Sequence, residues 1–356
     1  MKRPKIRDDL ALMEGYHSPQ VDVDVRLNTN ESPVPPPIAW RDALAAEISQ
    51  LEWHRYPERS ATALREGLAE QYGVDPSMVF AANGSNEILQ SLLLAYGGPG
   101  RSAAVFEPTY ALHSHISRVS GTAVIDGERG PDFMLDVAEV NRVLDLEPDV
   151  VFLCSPNNPT GMVESQALVR YVAQRAAEIG SLVIVDEAYG QFAQWSAVEL
   201  VDEDAPVVVS RTFSKTWSMA AARLGYVIAP TWVVQAIESV VLPYHLDAAK
   251  QAAGRLALRF VDDMHERVKQ LVSERERLQA AMGRLPLQQW ESGANFVLFR
   301  PTAMDGNDVW QALLEHSVLV RNCASWPRLD GCLRVTVGTP GENDAFLRAL
   351  TEILSA

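Results

Sequence analysis

The chain has 356 residues, of which 47% are hydrophobic, and it carries 31 basic against 46 acidic residues, a formal net charge of −15. This length and apolar content allow a large buried core and favour two domains. The acidic balance argues against nucleic acid or an anionic membrane surface as a partner. The three cysteines fit no metal-ligand spacing and no disulfide framework, so we expect no metal site and a reducing, cytoplasmic setting.

The first 37 residues predict an irregular arm and linker. The basic start M-K-R-P-K-I-R runs into R-D-D-L rather than an apolar segment, so we expect no signal peptide. No apolar stretch is long enough to span a membrane. The proline-rich run S-P-V-P-P-P at 32–37 marks the end of this arm.

Short apolar runs alternate with helical patterns from about residue 38 onward. The runs lie at 78–82, 103–106, 150–154, 182–186, 207–210 and 226–229. Continuous apolar strands separated by helices predict a mostly parallel sheet covered on both faces. Ligands of such sheets bind at the carboxyl ends of the strands, and each polar cluster considered below follows such an end.

The last third of the chain predicts a smaller α/β unit. Residues 251–283 read as one long amphipathic helix, followed by strands at 294–299, 318–321 and 333–337 and a closing helix at 342–355. We therefore predict an arm (1–37) that joins the small domain, a large domain (38–246) and a small C-terminal domain (247–356).

Two polar clusters are each explained by ordinary local structure when taken alone. The string A-N-G-S-N-E (82–87) opens a helix, so Gly84, Ser85 and Asn86 either present backbone N–H groups to an anion or cap the helix. In F-E-P-T-Y (106–110), Tyr110 either stacks on a flat ring or is a loop tyrosine.

Two further clusters follow the most apolar strands. The string C-S-P-N-N-P-T-G (154–161) predicts a rigid polar turn, in which Asn158 either hydrogen-bonds a phenolate oxygen or completes the turn. In V-D-E-A-Y (185–189), a buried Asp186 is costly unless paired, either with a protonated pyridine nitrogen or as a helix cap. Tyr189 would reach the same phenolate oxygen.

Lys215 lies in S-R-T-F-S-K-T-W (210–217), close to Arg223. Hydroxyls and a guanidinium suit a phosphate, while the amine forms a Schiff base with an aldehyde of the same molecule, pyridoxal 5′-phosphate (PLP). The alternative is a surface lysine. Arg334 lies in the apolar string L-R-V-T-V-G (333–338) and needs a carboxylate or phosphate partner, or a structural ion pair.

Together the clusters resemble the fold type I PLP-dependent aminotransferases, in order and over nearly the whole chain. Within that group the chain resembles the histidinol-phosphate aminotransferase family of the class II aminotransferases. Besides the strings above, the resemblance rests on L-N-T-N-E-S-P (27–33), R-Y-P (55–57), L-P-Y-H-L (242–246), S-G-A-N-F-V-L-F (292–299) and L-R-V-T-V-G-T-P (333–340). It implies an α/β fold, with a mostly parallel seven-stranded sheet covered by helices and a smaller α/β domain.

The resemblance also implies how a bound PLP would be held. Lys215 would hold it as a Schiff base and move a proton, and Asp186 would pair with the pyridinium nitrogen. Asn158 and Tyr189 would contact the ring oxygen, and Tyr110 would stack on the ring. The residues implied at the phosphate are Gly84, Ser85, Asn86, Thr212, Ser214 and Arg223.

For the substrate, the resemblance implies a ping-pong transamination between histidinol phosphate and 2-oxoglutarate. Arg334 would bind the carboxylate of the amino-acid partner. Further positions implied to line the substrate pocket are Tyr16, Asn30, Tyr244 and Arg321. Tyr56 matches a tyrosine that contacts the cofactor phosphate of the neighbouring subunit, which implies a homodimer.

Three positions depart from the family pattern. Trp326 is unusual in the loop at 320–332, Lys250 replaces a small or hydroxylated residue, and Ala221 replaces a glycine. The first two leave open an aminotransferase for aromatic or specialised amino acids. A PLP-dependent phospho-amino-acid decarboxylase would share the same cofactor contacts. A PLP-sensing regulator needs a DNA-binding module. Only about 37 residues precede the large domain, and the chain as a whole is acidic, so we do not favour this alternative.

Overall fold

The structure, a computed structural model, describes residues 3–8, 10 and 21–355. In this part of the chain, seven strands form one sheet and five form another. The seven-stranded sheet contains β2 (Val79–Ala82), β3 (Ser102–Glu107), β4 (Ala123–Glu128), β5 (Val150–Cys154), β6 (Leu182–Asp186), β7 (Val207–Thr212) and β8 (Gly225–Ile228). The five-stranded sheet contains β1 (Val25–Leu27), β9 (Leu287–Gln289), β10 (Phe296–Pro301), β11 (Val318–Asn322) and β12 (Leu333–Thr336).

The strand order of the larger sheet is β2-β8-β7-β6-β5-β3-β4. The five strands from β7 to β4 are parallel, and only β8 runs antiparallel to its neighbours β2 and β7. The predicted mostly parallel sheet is therefore confirmed. The chain places β4 on one side of β3 and β5 on the other, so the crevice at the carboxyl ends of β3 and β5 is a topological switch point.

Helices cover both faces of the larger sheet. The helices from the first part of the chain up to residue 257 are α1 (Ile38–Ile48), α2 (Thr62–Tyr72), α3 (Ser85–Tyr96), α4 (Leu112–Ser120), α5 (Val137–Leu144), α6 (Gln166–Ile179), α7 (Thr231–Val240) and α8 (Ala248–Ala257). Phe152 packs in the cluster formed with α3, α4 and α7, whereas its neighbours Val151 and Leu153 pack with α5 and α6. This alternation explains why the strands read as continuous apolar runs.

The predicted strands β5 and β6 begin and end at the residues expected, and the other predicted strands differ by one or two residues. The prediction missed β4, β1 and β9. Strand β4 is an edge strand with half-exposed residues, so its sequence V-I-D-G-E carries little apolar signal. The expectation of an irregular arm was wrong for Val25–Leu27, since β1 pairs in parallel with β11.

The prediction of one helix over 251–283 was also wrong. The structure has α8, a 3-10 turn at Leu258–Phe260, and then α9 (Val261–Met282). Phe260 leaves helical geometry with φ −119° and ψ 36°. Leu258 and Phe260 both pack against the core around α1 and α2, which pulls the chain out of a straight helix.

The smaller sheet has the order β1-β11-β12-β10-β9 and packs against α9, α10 (Gly306–Glu315) and α11 (Pro340–Ser355). Its core joins Phe296 and Phe299 of β10 to Phe346 and Leu350 of α11. Helix α8 follows the predicted domain boundary at 246, yet its residues Ala253 and Leu256 pack in the core beside α1 and α2. That helix therefore contacts the larger sheet's helices rather than the smaller sheet.

Candidate active site

A cavity of about 130 Å³ lies at the carboxyl ends of the central strands. The predicted site residues that line it are Asn30, Ser85, Asn86, Tyr110, Asn158, Asp186, Tyr189, Thr212, Ser214, Lys215, Arg223 and Arg334. Thr29, Cys154 and Ala188 also line the cavity, and no sequence signal pointed to them. The strand ends thus converge because parallel strands bring their carboxyl ends to one edge.

Lys215 follows β7 and lies half-buried at the bottom of this cavity. Its Nζ donates a hydrogen bond to the carbonyl oxygen of Thr29, 3.0 Å away. Burial, together with the positive charges of Arg334 and Arg223, lowers the pKa of Lys215 to about 7, although the charge of Glu31 opposes this shift. A large fraction of the amine is therefore neutral near pH 7, the state in which it acts as a nucleophile or base.

Asp186, the last residue of β6, has a relative accessibility of 1%. Its Oδ2 lies 3.0 Å from Nε2 of His113, and its Oδ1 accepts a hydrogen bond from the Ala188 N–H at 3.1 Å. His113 itself is fully buried and stacks on Phe152 with ring centroids 4.6 Å apart. Asp186 thus has a rigid orientation, and the alternative that it caps a helix does not hold.

His113 is a residue that the sequence reasoning missed. It lies on α4, three positions after Tyr110, and its ring contacts that of Tyr110 edge-on at 5.4 Å. His113, in the string A-L-H-S-H (111–115), belongs to no recognisable motif. The one available signal was the spacing of three residues from Tyr110, which puts both side chains on one side of a helix start.

An anion-binding cradle forms where β2 leads into α3. Gly84 has φ +84° and precedes the helix, which has no side-chain cap, so its first N–H groups point into the cavity region. Arg223 donates from Nη1 to Oγ of Ser214 at 3.2 Å, and Oγ1 of Thr212 donates to the same oxygen at 3.0 Å. A Cβ on Gly84 would lie 2.9 Å from Nη2 of Arg223, so a side chain there would be strained by the positive φ and would displace the guanidinium.

The opposite wall comes from the arm and the smaller sheet. Arg334 on β12 donates from Nη1 to Oδ1 of Asn158 and from Nη2 to the carbonyl oxygen of Asn28 at 3.0 Å. Among the described residues, Arg334 forms no ion pair, and its Nε has no hydrogen-bond partner. The alternative of a structural ion pair within the small domain therefore does not hold.

Tyr189 and Asn30 connect the two walls. The side-chain N–H of Asn30 donates to the Tyr189 hydroxyl at 2.9 Å, and Thr336 on β12 donates to Oδ1 of Asn30 at 3.0 Å. Burial raises the pKa of Tyr189 to about 12, although the charge of Arg334 opposes this. Tyr189 is therefore a neutral hydrogen-bonding phenol at neutral pH.

The remaining predicted residues lie outside the lining of this cavity. Tyr56 is 79% exposed and stacks on Tyr244, with ring centroids 4.5 Å apart. Arg321 lies opposite Arg334 in the β11–β12 register, and its guanidinium lies 5.5 Å from the centre of the Trp326 ring. Tyr16 falls outside the described residues.

Lys250, which departs from the family pattern, contacts the residue before the cradle. Its Nζ donates to Oδ1 of Asn83 at 2.6 Å and lies 3.1 Å from Asp247. Asn83 also donates to Glu87 and to the carbonyl oxygen of His245. Lys250 thus holds Asn83 in place beside the start of α3.

The described residues contain no cluster of three or more histidine, cysteine or acidic side chains that would bind a metal ion. All three cysteines are buried free thiols. No helix in the described ranges combines the length and apolar character needed to cross a bilayer.

Comparison with known proteins identifies the family. Residues 22–350 match the model of the aminotransferase class I and II family. The chain is 46% identical over 361 residues to a histidinol-phosphate aminotransferase of Mycolicibacterium smegmatis, covering 98% of this chain and 93% of that protein. It is 44% identical to the histidinol-phosphate aminotransferase of Frankia casuarinae, covering 98% and 90%.

Solved structures agree in fold. The histidinol-phosphate aminotransferase of Clostridium acetobutylicum superposes with a TM-score of 0.87 at 21% identity, over 93% of this chain and 99% of that one. That of Sinorhizobium meliloti, solved in complex with pyridoxal-5′-phosphate, gives a TM-score of 0.86 at 22% identity, over 94% and 91%. The chain belongs to the aminotransferase class I and II family and, within it, groups with the histidinol-phosphate aminotransferases.

Proposed function

We propose that this protein is a PLP-dependent aminotransferase that transfers the amino group of histidinol phosphate to 2-oxoglutarate. The observation that carries the proposal is the half-buried amine of Lys215, with a pKa of about 7, in the same cavity as an anion cradle and the fixed carboxylate of Asp186. A carboxylate partner would raise the pKa of such a lysine, and none forms an ion pair with it among the described residues. The identity of the substrate is proposed from sequence relatives at 44–46% identity, which are histidinol-phosphate aminotransferases.

The residues fit PLP. The N–H groups of Ser85 and Asn86, with Arg223, Thr212 and Ser214, offer donors at one end of the cavity, and Gly84 leaves space for a phosphate. Asp186 at the other end would pair with a pyridine N–H, and Asn158 and Tyr189 would donate to the ring oxygen. Tyr110 would cover one face of the ring.

PLP, when bound, supplies an electron sink for the substrate carbon that loses its proton. The chain's contribution is to position and to move protons. Lys215 takes up and returns a proton at Nζ, which its pKa of about 7 allows at neutral pH. Asp186 would face the cofactor nitrogen, and its contacts with His113 and the Ala188 N–H hold its carboxylate in place.

Two arginines account for dual recognition. Histidinol phosphate has no α-carboxylate, whereas glutamate and 2-oxoglutarate have one. A guanidinium fork binds a carboxylate or a phosphate through paired oxygens. Arg334 would bind the α-carboxylate and Arg321, across the β11–β12 pair, would bind the distal anion. Asn30, Tyr244 and Tyr16 would complete the substrate pocket.

We further propose a homodimer in which Tyr56 reaches the cofactor phosphate of the partner. Tyr56 is 79% exposed and does not line the cavity of its own chain, which supports a role across an interface. The proposed division into an arm (1–37), a large domain (38–246) and a small domain (247–356) goes with this arrangement. The packing of α8 beside α1 and α2 argues for moving the last boundary beyond residue 257.

One half-reaction screen tests the substrate. The PLP-loaded protein is mixed with histidinol phosphate, glutamate, phenylalanine or tyrosine, and loss of the cofactor's visible absorbance is followed. We expect fast conversion by histidinol phosphate and glutamate. Trp326, which lies against Arg321, favours a second candidate, an aminotransferase for aromatic amino acids. Fast conversion by phenylalanine with none by histidinol phosphate would establish that second candidate instead.

A variant pair tests the role of Lys215. Lys215→Ala should slow the half-reaction by a factor on the order of 10⁴, because no other group supplies the mobile proton. Borohydride treatment should leave the cofactor covalently attached to wild type and not to this variant. Lys269→Ala is the control, an exposed lysine on α9 that does not line the cavity, and it should retain both attachment and turnover. Near-normal turnover in Lys215→Ala would refute the assignment.

A further inference from the structure

A second cavity, of about 400 Å³, lies between α9 and the loops that follow Asn158 and Tyr189. Its walls include Met162, Phe192 and Trp195 on the apolar side and Ser292 and Arg275 on the polar side. None of its lining residues lines the cofactor cavity. The proposed transamination uses none of its side chains.

Arg275 is the unusual group in this cavity. It is 8% exposed, and its Nη1 donates to the carbonyl oxygen of Ala294 at 2.7 Å. Within the described part of the chain, its Nε has no hydrogen-bond partner and no carboxylate forms an ion pair with it. Burial lowers the pKa of Arg275, and only Glu276 opposes this. A buried guanidinium with so little compensation is destabilising unless an anion or water reaches it.

Arg267, on the same helix, is a buried arginine with almost no free space beside it. It is 9% exposed and donates from Nη1 to the carbonyl oxygen of Thr216 at 2.8 Å. The cavity beside Arg267 holds about 10 Å³, too little for more than about one water. Arg275 therefore differs from Arg267 in having space for a ligand rather than in its burial.

The walls of the larger cavity are rigid. The N–H of Gly293 donates to the carbonyl oxygen of Gly161 at 2.8 Å, and a Cβ on Gly161 would lie 2.5 Å from Oγ of Ser292. Trp195 is fixed by a hydrogen bond from Nε1 to the carbonyl oxygen of Glu164 at 3.0 Å. These contacts join the two sides of the cavity at one end and fix the position of Trp195.

We propose that this cavity binds a small organic carboxylate with an apolar or aromatic body. The carboxylate would accept hydrogen bonds from Arg275, and the body would pack on Met162, Phe192 and Trp195. One guanidinium matches one negative charge, whereas a phosphate dianion would need further donors and would meet the exposed Glu291 on the rim. Binding of a carboxylate in this cavity does not depend on which reaction the chain catalyses.

The occupant would contact the loop that carries Asn158. The N–H of Gly161 donates to the carbonyl oxygen of Asn157, and the N–H of Asn157 donates to the carbonyl oxygen of Met162, both at 2.7 Å. Met162 therefore joins the second cavity to the turn at 157–161 through backbone hydrogen bonds. Binding at Arg275 would reach the cofactor cavity through this short, rigid segment.

Isothermal titration calorimetry with the PLP-loaded full chain tests the site. The probe is 3-phenylpropionate, and the Arg334→Gln background removes competing carboxylate binding in the cofactor cavity. We expect one site per chain, with affinity about tenfold or more weaker in Arg275→Gln, because a hydrogen bond to a charged group is lost. The uncharged 3-phenylpropan-1-ol should bind at least about tenfold more weakly than the carboxylate.

A second variant guards against a folding defect in Arg275→Gln. Ala193→Phe fills the cavity and leaves Arg275 in place, so it should also abolish binding of the probe. When Arg334 is intact, both variants should keep wild-type transamination rates. Equal binding by wild type and by both variants, or no binding of 3-phenylpropionate at millimolar concentration, would overturn the site. Binding of inorganic phosphate alone, lost in Arg275→Gln, would overturn the carboxylate assignment.

Discussion

The two walls of the cofactor cavity differ in how their charges are compensated. On the wall from the larger sheet, Asp186 has His113 and a backbone N–H, and the hydroxyls of Thr212 and Ser214 are joined to Arg223. On the wall from the smaller sheet, Arg334 lies over the Phe296 ring and, among the described residues, donates its hydrogen bonds only to neutral oxygen atoms. The polar groups of the first wall are held by contacts within the protein, whereas the second wall leaves a positive charge uncompensated.

This difference matches the two kinds of ligand that we propose, a cofactor that stays bound and substrates that exchange. A cofactor that stays bound through both half-reactions suits a wall whose hydrogen bonds are already formed. A site that must bind two different anions in turn suits a guanidinium without a competing carboxylate. Variants of the larger wall should therefore lower the rate of the chemical step, and variants of the smaller wall should weaken substrate binding.

The largest effect among the wall variants should come from Asp186→Asn. The substitution removes the negative charge opposite the cofactor nitrogen, so the single-turnover rate of the half-reaction should fall by a factor on the order of 10³. Stopped-flow absorbance at saturating substrate measures this rate. The substrate concentration for half-maximal rate should change little, because Asp186 does not face the substrate anion.

Glu187→Gln is the matched control for Asp186→Asn. Glu187 is the next residue, equally buried, but pairs with Arg211 at 2.6 Å and does not line the cavity. Its loss should lower the free energy of unfolding by about 3–5 kcal/mol, because the charge of Arg211 stays buried. The single-turnover rate should be unchanged. An equal fall in rate would mean that the loss of any buried acid, rather than of Asp186, slows the reaction.

The smaller wall is tested by Arg334→Gln. Removing the guanidinium should raise the KM for glutamate by a factor on the order of 10², because a charge-assisted bidentate contact is lost. The maximal rate should fall much less. Steady-state kinetics with glutamate separate the two parameters. A fall in kcat with an unchanged KM would contradict the division between the two walls.

The pKa of Lys215 predicts a pH dependence that involves both walls, because Arg334 on the smaller wall affects this pKa. The folded protein holds this pKa at about 7 rather than the ordinary 10.5, so the neutral amine is lost as the pH falls through 7. The rate at which cofactor-free protein combines with PLP should rise about tenfold between pH 6 and pH 8 and then level off. Because the charge of Arg334 helps to lower this pKa, Arg334→Gln should move the midpoint to higher pH. A midpoint near 10 in wild type would contradict the burial of a neutral amine.

The smallest effect should come from Tyr56→Phe. If the hydroxyl reaches the cofactor phosphate of the partner, its removal should weaken PLP binding by about fivefold. Equilibrium dialysis of the cofactor measures this, and Tyr244→Phe is the control, since it keeps the stacked pair of rings. Sedimentation of the same samples reports whether the chain is a dimer, as a monomer would exclude this role for Tyr56.

Sequence reasoning worked best where chemistry and secondary structure coincide. Asp186 ends an unbroken apolar strand, and Lys215 follows another within a specific string, so both could be assigned to one sheet edge. Their strand ends meet because parallel strands share an edge, which is a rule of topology rather than of local sequence. The roles of the individual residues stay predictions until the variants are measured.

The contacts that sequence could not predict come from residues far apart in the chain. His113 approaches Asp186 across 73 positions, and the Thr29 carbonyl meets Lys215 across 186. A single histidine and a backbone carbonyl carry no motif, so only the folded arrangement shows them. The break at Leu258–Phe260 was missed for a related reason, since tertiary packing overrides the helical pattern there.

The pairing of β1 with β11 has a consequence for synthesis on the ribosome. Val25 pairs with Val318, so β1 cannot take its place in the sheet until β11 has been made, almost 300 residues later in the chain. Thr29 and Asn30, just beyond β1, therefore reach the cavity only after the larger sheet has had time to form. We expect a nascent chain stalled before β11 to have a folded larger sheet but an incomplete cavity, so that tight binding of PLP requires synthesis to pass β11.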